Sequence, residues 1–417
     1  MASFEIVFLL VVYGISLFEL TLLSLNYRNA RLSRVSLPDN LRDVFNDDLI
    51  GKSVDYTRAK GSLAITSSIV SLAALSVGIF WFFRAVESLA VRAAEGFVIQ
   101  GLLFFIVIGA TAFIITLPFS IYSTFVLEKR FGFNRTTPGT FVADKLKGIS
   151  LVAVIGIPIV TLVLLAIDSF AYWWLYLLIG VIVFELLAQL IFPTVILPIF
   201  YKLKPLDDED LMGRLRAIAE KAGFEVKSIL VMDASRKTGH TNAFFTGIGR
   251  AKRIVLFDSL LEKHTSEEIQ AIFAHEAGHF KRKHILKGML VSNAAAAFAV
   301  VLLWLIVESP LASGIFGIEK KFTTLLYAGV FLSSVFTMLD WIDSLISRRW
   351  EFEADRYAAE MLGTSLPMIS ALKNLSASNL SNLSPHPLYA ALNYSHPPPW
   401  ERIEKLNSIV SNINERE

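Results

Sequence analysis

In the stretch IQAIFAHEAGHFKRKHI, residues 269–285, His275, Glu276 and His279 stand within a run of helix formers. Residues four apart on a helix share a face, so His275 and His279 can present two imidazole nitrogens to one ion. Glu276 follows the first histidine and flanks the same ion without binding it. The pattern His-Glu-x-x-His is complete; in it a metal lowers the pKa of a water, and the glutamate takes its proton as general base. Ala277 and Gly278 are small, which would let a strand or substrate come close to such a metal. The bland alternative is an exposed helix that carries the pattern by coincidence.

Around this helix the chain is apolar. Of its 417 residues 54% are hydrophobic and only 18% charged, with a mean hydropathy of +0.55, which is the composition of an integral membrane protein. The formal charge is +2 and no segment concentrates Lys and Arg free of acids, so nucleic acid is excluded as a partner. With no cysteine there are no disulfides and no thiolate ligands, and a metal must rest on His and carboxylate. The apolar run from about Phe4 to Tyr27 is too long for a signal segment and lacks a basic start and a small-residue cleavage site. It reads as a retained transmembrane helix.

A span needs about 20 largely apolar residues. Seven stretches qualify, roughly 4–26, 62–83, 97–127, 149–167, 171–200, 289–308 and 322–347. The loops 28–61 and 128–148 hold seven and five Lys or Arg, whereas 84–96, 168–170 and 309–321 hold two, none and two. The positive-inside rule then predicts an outside N-terminus, with 28–61, 128–148, 201–288 and the C-terminal tail in the cytoplasm. Glu19, Glu185, Asp340 and Asp343 lie within or near span ends, where an ionised group must pair or face water. Interfacial placement suits Glu19 and Asp343, and Glu185 is open between that and a wet interior.

Residues 201–288 read as a small α+β insert. DEDLMGRLRAIAEKAGF is an amphipathic helix ended by Gly223, KSILVMD and RIVLF are short strands, and a central extended piece lies between them. The motif helix begins near Ser266, read as its N-cap, with acids in its first turn. The expected organisation is a membrane part over 1–200, the insert over 201–288, two further spans over 289–347 and a helical tail over 348–417.

A catalytic zinc needs a third protein ligand and an open position. His240, His264, His284, His386, His396 and downstream acids are the candidates. His264 and His284, each near a helix end among charges, read as ordinary residues, as does His386. In SRRWEFEADRYAAEML, Glu351, Glu353 and Asp355 are the first acids after the seventh span, and Glu351 and Asp355 share a helix face. Glu351 as ligand, with Asp355 orienting a ligand histidine, is a sensible division of labour.

HEAGH, RRWEFEADRYA, HTNAFFTGIGRAKRIVLFDSLL, YSHPPPWERI and EKRFGFNRTTPGTF together resemble the type I CAAX prenyl proteases, integral-membrane zinc metalloproteases of the zincin superfamily that process prenylated peptides. The resemblance implies an all-α multi-pass fold of seven helices enclosing a chamber, with the zinc site at its cytosolic end. It implies one zinc per chain on His275, His279 and Glu351, with Glu276 activating the water and Asp355 supporting a ligand. It further implies that His396 stabilises the oxyanion and that Asn242 and Ala243 bind an extended peptide as an added strand. Arg402 falls at the family's arginine, grouped with substrate binding and equally able to hold the site or form a tail salt bridge. Expected partners are a peptide or protein substrate, prenylated or not, and the bilayer.

Only SLLEKHTSEEIQAIFA separates the LFD strand from the motif, and SNINERE carries no evident endoplasmic-reticulum retrieval signal. Both favour a prokaryotic cell membrane. The alternatives are a membrane quality-control protease of the same superfamily, or a transporter or scaffold with structural zinc.

Overall fold

The structure, a computed structural model, describes residues 2–34, 37, 39–226, 228–246, 253–310, 312 and 315–414. Lys227, the segment GIGRAK at 247–252, and the last three residues of SNINERE lie outside these.

Among the described residues seven helices are long and apolar enough to cross a membrane: Phe4–Leu32, Asp47–Ala93, Phe97–Glu128, Pro138–Ser169, Trp173–Phe200, His284–Glu308 and Lys321–Leu362. A helix satisfies its own backbone, as a hydrocarbon environment requires. Apolar side chains such as Ile114, Val154, Leu162 and Leu290 are exposed along their flanks, where lipid would cover them. All seven predicted spans are present. The second starts well before its predicted limit, because its first turns are polar and carry no hydropathy signal; Asn46 caps them through Leu49 N at 2.9 Å. The seventh runs 42 residues without a break, where a separate tail helix was predicted. No Gly or Pro interrupts SRRWEFEADRYAAEML, so the helix continues beyond the apolar stretch.

The connections gather at two ends. At one, Leu41 and Phe45 of the first basic loop pack with Ile403 and Leu406 of the tail. There too, Phe133 of the second basic loop stacks on His240 of the insert, at 3.9 Å between ring centres. At the other end Phe316 N donates to Glu5 Oε1 and Glu319 N to Glu87 Oε1. The alternation of basic and less basic loops is thus also an alternation in space.

The insert holds a four-stranded sheet of β1 (Leu203–Pro205), β2 (Ser228–Met232), β3 (Ala243–Thr246) and β4 (Arg253–Phe257), in the order β1-β2-β4-β3. β2 and β4 are parallel and the outer pairs antiparallel, so β3 is an edge strand. Helix Glu209–Ala222, capped by Asp208 and closed by Gly223 at φ 81°, packs over it; only glycine takes that left-handed closure without strain. Leu215, Ile254, Leu256, Ile269 and Phe273 form the buried core beneath the motif helix, Ser266–Lys281.

That helix is capped by Thr265, one residue earlier than predicted. Thr265 has extended backbone and closes a capping box with Glu268. Glu268 is 3% exposed and also accepts from Ser370 Oγ and Asn374 Nδ2, while His264 Nδ1 lies 2.9 Å from its other oxygen. Burial alone would raise the Glu268 pKa, but these hydrogen bonds outweigh it and hold the carboxyl below its ordinary value. Burial also lowers the His264 pKa. Both folded values lie below the unfolded ones, so the stabilisation is full at neutral pH. It is lost as pH falls below about 6.5 for His264 and about 4.3 for Glu268. Glu268→Ala is expected to cost about 3 kcal/mol at neutral pH. The deficit should narrow in acid, which thermal unfolding of both proteins at two pH values would check.

Candidate metal centre

The motif helix lies against the extension of the seventh span, and Gly278 sets how closely. A Cβ on Gly278 would lie 3.0 Å from Ala354 Cα and 3.1 Å from Tyr357 Cβ. Ala277 and Ala354 are fully buried. The small residues therefore serve helix packing; they do not open a path for substrate, as the sequence suggested. Gly278→Ala is expected to prise the helices apart by a few tenths of an ångström. The predicted cost is about 1–3 kcal/mol, with weakened metal retention, measured as thermal midpoint and bound metal.

This contact delivers Glu351 to the two motif histidines. His279 Nε2 lies 3.1 Å from Glu351 Oε1 and 3.2 Å from His275 Nε2, and His275 Nε2 is 3.4 Å from Glu351 Oε2. Among the described residues these three form the group able to hold an ion, with donor atoms within 4.8 Å of one another. Glu351 is 4% exposed. Its Oε2 is buried and makes no well-directed hydrogen bond, although His396 Nδ1 is 2.8 Å and Arg402 Nη1 3.3 Å away. Two imidazoles and an orphaned carboxylate oxygen fit a divalent cation of zinc's preferences.

His275 Nδ1 faces Asp355 Oδ1 at 2.9 Å, which places its proton there and turns Nε2 to the shared centre. Burial alone would lower the His275 pKa, but the Asp355 hydrogen bond and the Glu351 carboxylate prevail and push it up to about 9. The same negative surroundings favour a cation. Asp355 is held by Arg402, through Nε at 2.8 Å and Nη2 at 2.6 Å. Arg402 is only 8% exposed. Its guanidinium stands between the two carboxylates, with Nη2 on Asp355 Oδ1 and Nη1 3.3 Å from Glu351 Oε2.

Glu276 is half-buried beside these three donors, and burial raises its carboxyl above the ordinary range. The His396 side chain is 66% exposed while touching Glu351. Asn242 is exposed just before β3, and its carbonyl accepts from Phe257 N. Among the described residues the outer edge of β3 has no strand partner, and Phe245 within it packs on Phe273 of the motif helix at 5.6 Å. Asn242 and Ala243 thus lie on an open edge alongside that helix.

The other histidines are placed elsewhere, with one exception. His240 is held by Asn379, Glu128 and Phe133; His264 pairs with Glu268; His386 N–H donates to Asn26. The exception is His284, whose Nδ1 is 3.1 Å from His279 Nδ1. The sequence reads it as an ordinary helix-end residue, and its one signal is a position five residues after His279. A cavity of ≈ 840 Å³ leads from His279, Glu351 and His396 between the sixth and seventh spans to Glu185 and Asp340. Glu185 accepts from Asn293 Nδ2 at 2.7 Å, so this intramembrane acid is paired and borders a cavity.

Seven spans, a His-Glu-x-x-His helix and a glutamate supplied by the last span define a membrane-embedded metallopeptidase. Residues 26–202 match the family model described as CAAX prenyl protease N-terminal, five membrane helices, and residues 205–410 match peptidase family M48. The chain is 33% identical to CAAX prenyl protease 1 of Saccharomyces cerevisiae, over 96% of this chain and 95% of that protein. It is 27% identical to the Homo sapiens CAAX prenyl protease 1 homolog, over 93% and 92%. The crystal structure of S. mikatae Ste24p superposes with a TM-score of 0.87 at 33% identity, covering 96% of this chain and 98% of that one. The chain belongs to the CAAX prenyl protease family. It is an integral multi-pass membrane protein and a metalloendopeptidase, as its motifs predicted.

Proposed function

We propose that His275, His279 and Glu351 hold one zinc ion per chain, and that Glu276 and His396 act with it on the scissile peptide bond. The observation that carries this reading is the convergence of three donors within 4.8 Å beside a glutamate that is not one of them. When bound, the metal supplies Lewis acidity to the substrate carbonyl and to the attacking water. Glu276 takes the water's proton and, with a pKa raised by burial, can return it to the leaving amine. His396, exposed toward the open side, donates to the developing oxyanion. Asn242 and Ala243 receive the peptide as a strand added to β3. Asp355 orients His275, and Arg402 holds Asp355 in place.

The substrate we favour is a prenylated CAAX peptide, in keeping with the names of the relatives. The cavity that reaches from Glu351 past Ile285, Met289 and Phe336 supports a substrate with an apolar attachment. The end that carries the basic loops, the insert and the tail is read as cytoplasmic, with the N-terminus outside and the partition at 200, 288 and 347. The compact insert favours a prokaryotic membrane, although the relatives named above are eukaryotic.

Detergent-purified protein should cleave a fluorogenic farnesylated CAAX peptide and lose that activity to a zinc chelator. Cleavage of the unprenylated peptide alone would shift the substrate class to unmodified membrane proteins. No cleavage of either with zinc bound would favour a structural ion.

A further inference from the structure

Only Arg282 and Lys283 separate the motif helix from the sixth span, which begins at His284. In one continuous helix His284 would stand about 140° around the axis from His279, and the two rings would diverge. Lys283 prevents this by taking left-handed backbone, φ 57° and ψ 33°, a strained conformation for a residue with a Cβ. The chain doubles back and His284 meets His279 edge to face, with Nδ1 3.1 Å from Nδ1.

The His284 ring is 3% exposed and stacks on Trp350 at 4.9 Å with 7° between planes. Its Nε2 lies 3.3 Å from Glu353 Oε2, and Glu353 in turn is 3.6 Å from Arg349 Nε. A neutral imidazole carries one proton. The Glu353 carboxylate fixes that proton on Nε2 of His284, which leaves its Nδ1 as an acceptor. The proton of His279 must then sit on its own Nδ1, and its Nε2 lone pair is left facing Glu351 and His275.

We propose that His284 is a positioning residue for the metal. The chain His279–His284–Glu353 fixes the tautomer and angle of one imidazole as His275–Asp355–Arg402 fixes those of the other. The first chain is anchored on the sixth and seventh spans, the second on the seventh span and the tail. This inference rests on His279 being a metal ligand.

Two variants separate positioning from packing. His284→Phe keeps a ring on Trp350 and removes the acceptor. His284→Asn sets an oxygen near the position of Nδ1 and gives up the stack. Zinc affinity of the full-length protein would be measured by competition with a fluorescent chelator, together with the thermal midpoint of the metal-free form. His284→Phe should weaken zinc binding by about 10–100-fold with an unchanged metal-free midpoint, and His284→Asn should recover most of that loss. Wild-type affinity in His284→Phe would overturn the proposal. So would equal weakening in both variants with a lowered metal-free midpoint, which would mark His284 as packing alone. Wild-type protein that bound no zinc would instead remove the metal-ligand reading on which the inference stands.

Discussion

Glu276→Gln is expected to lower kcat/KM by about 10²–10⁴-fold while the protein keeps its metal. The amide has the shape of the carboxylate and cannot take a proton from water. Metal retention follows because Glu276 is not among the three converging donors. The raised pKa of the Glu276 carboxyl has a further consequence. The base is protonated at a higher pH than an ordinary glutamate, so the acid limb of kcat/KM against pH should lie above about 4.3. Peptide hydrolysis and bound zinc would be measured on the same preparation. A variant that cleaves at the wild-type rate would take Glu276 out of the chemistry, and one that loses zinc would make it a ligand.

Arg402→Met should be the most destabilising single change at the site. Arg402 is the cation between two buried carboxylates, Asp355 at 3% and Glu351 at 4% exposure. Removing it leaves His275, among the described residues, as the one remaining partner of the buried Asp355 carboxylate, at a cost of about 3–5 kcal/mol. Adding Asp355→Asn should return part of that loss, because neutralising both partners removes that buried charge. Unfolding of the single and double variants, with metal content followed in parallel, tests this. Wild-type stability in Arg402→Met would show that the tail does not clamp the site.

The spans and the motif were legible because each depends on local pattern: hydropathy over some twenty residues, and histidines four apart. Glu351 and Asp355 were legible for the same reason, as acids one turn apart at the end of a span. Other features depend on where separate elements meet. Gly278 reads as an opening toward the metal until Ala354 is seen pressed against it. His284 reads as a helix-end histidine because a regular helix would aim it away from His279, and nothing in the sequence marks Lys283 as left-handed. The burial of Arg402 against Asp355 depends on the tail helix folding back on the seventh, which the local sequence does not mark. The shift of the cap from Ser266 to Thr265 is smaller, since both residues can cap and only the backbone chooses.

The seventh helix carries Glu351 on the same unbroken rod that crosses the membrane. Forty-two residues span about 63 Å, roughly twice the hydrocarbon thickness of a bilayer. The height at which Glu351 stands is thereby measured from the lipid, whereas His275 and His279 are carried on the insert's last helix. Membrane thickness, which acts on how deep such a rod sits, then bears on where Glu351 meets the motif helix. A version of the insert cut free of its membrane would keep two of the three converging donors.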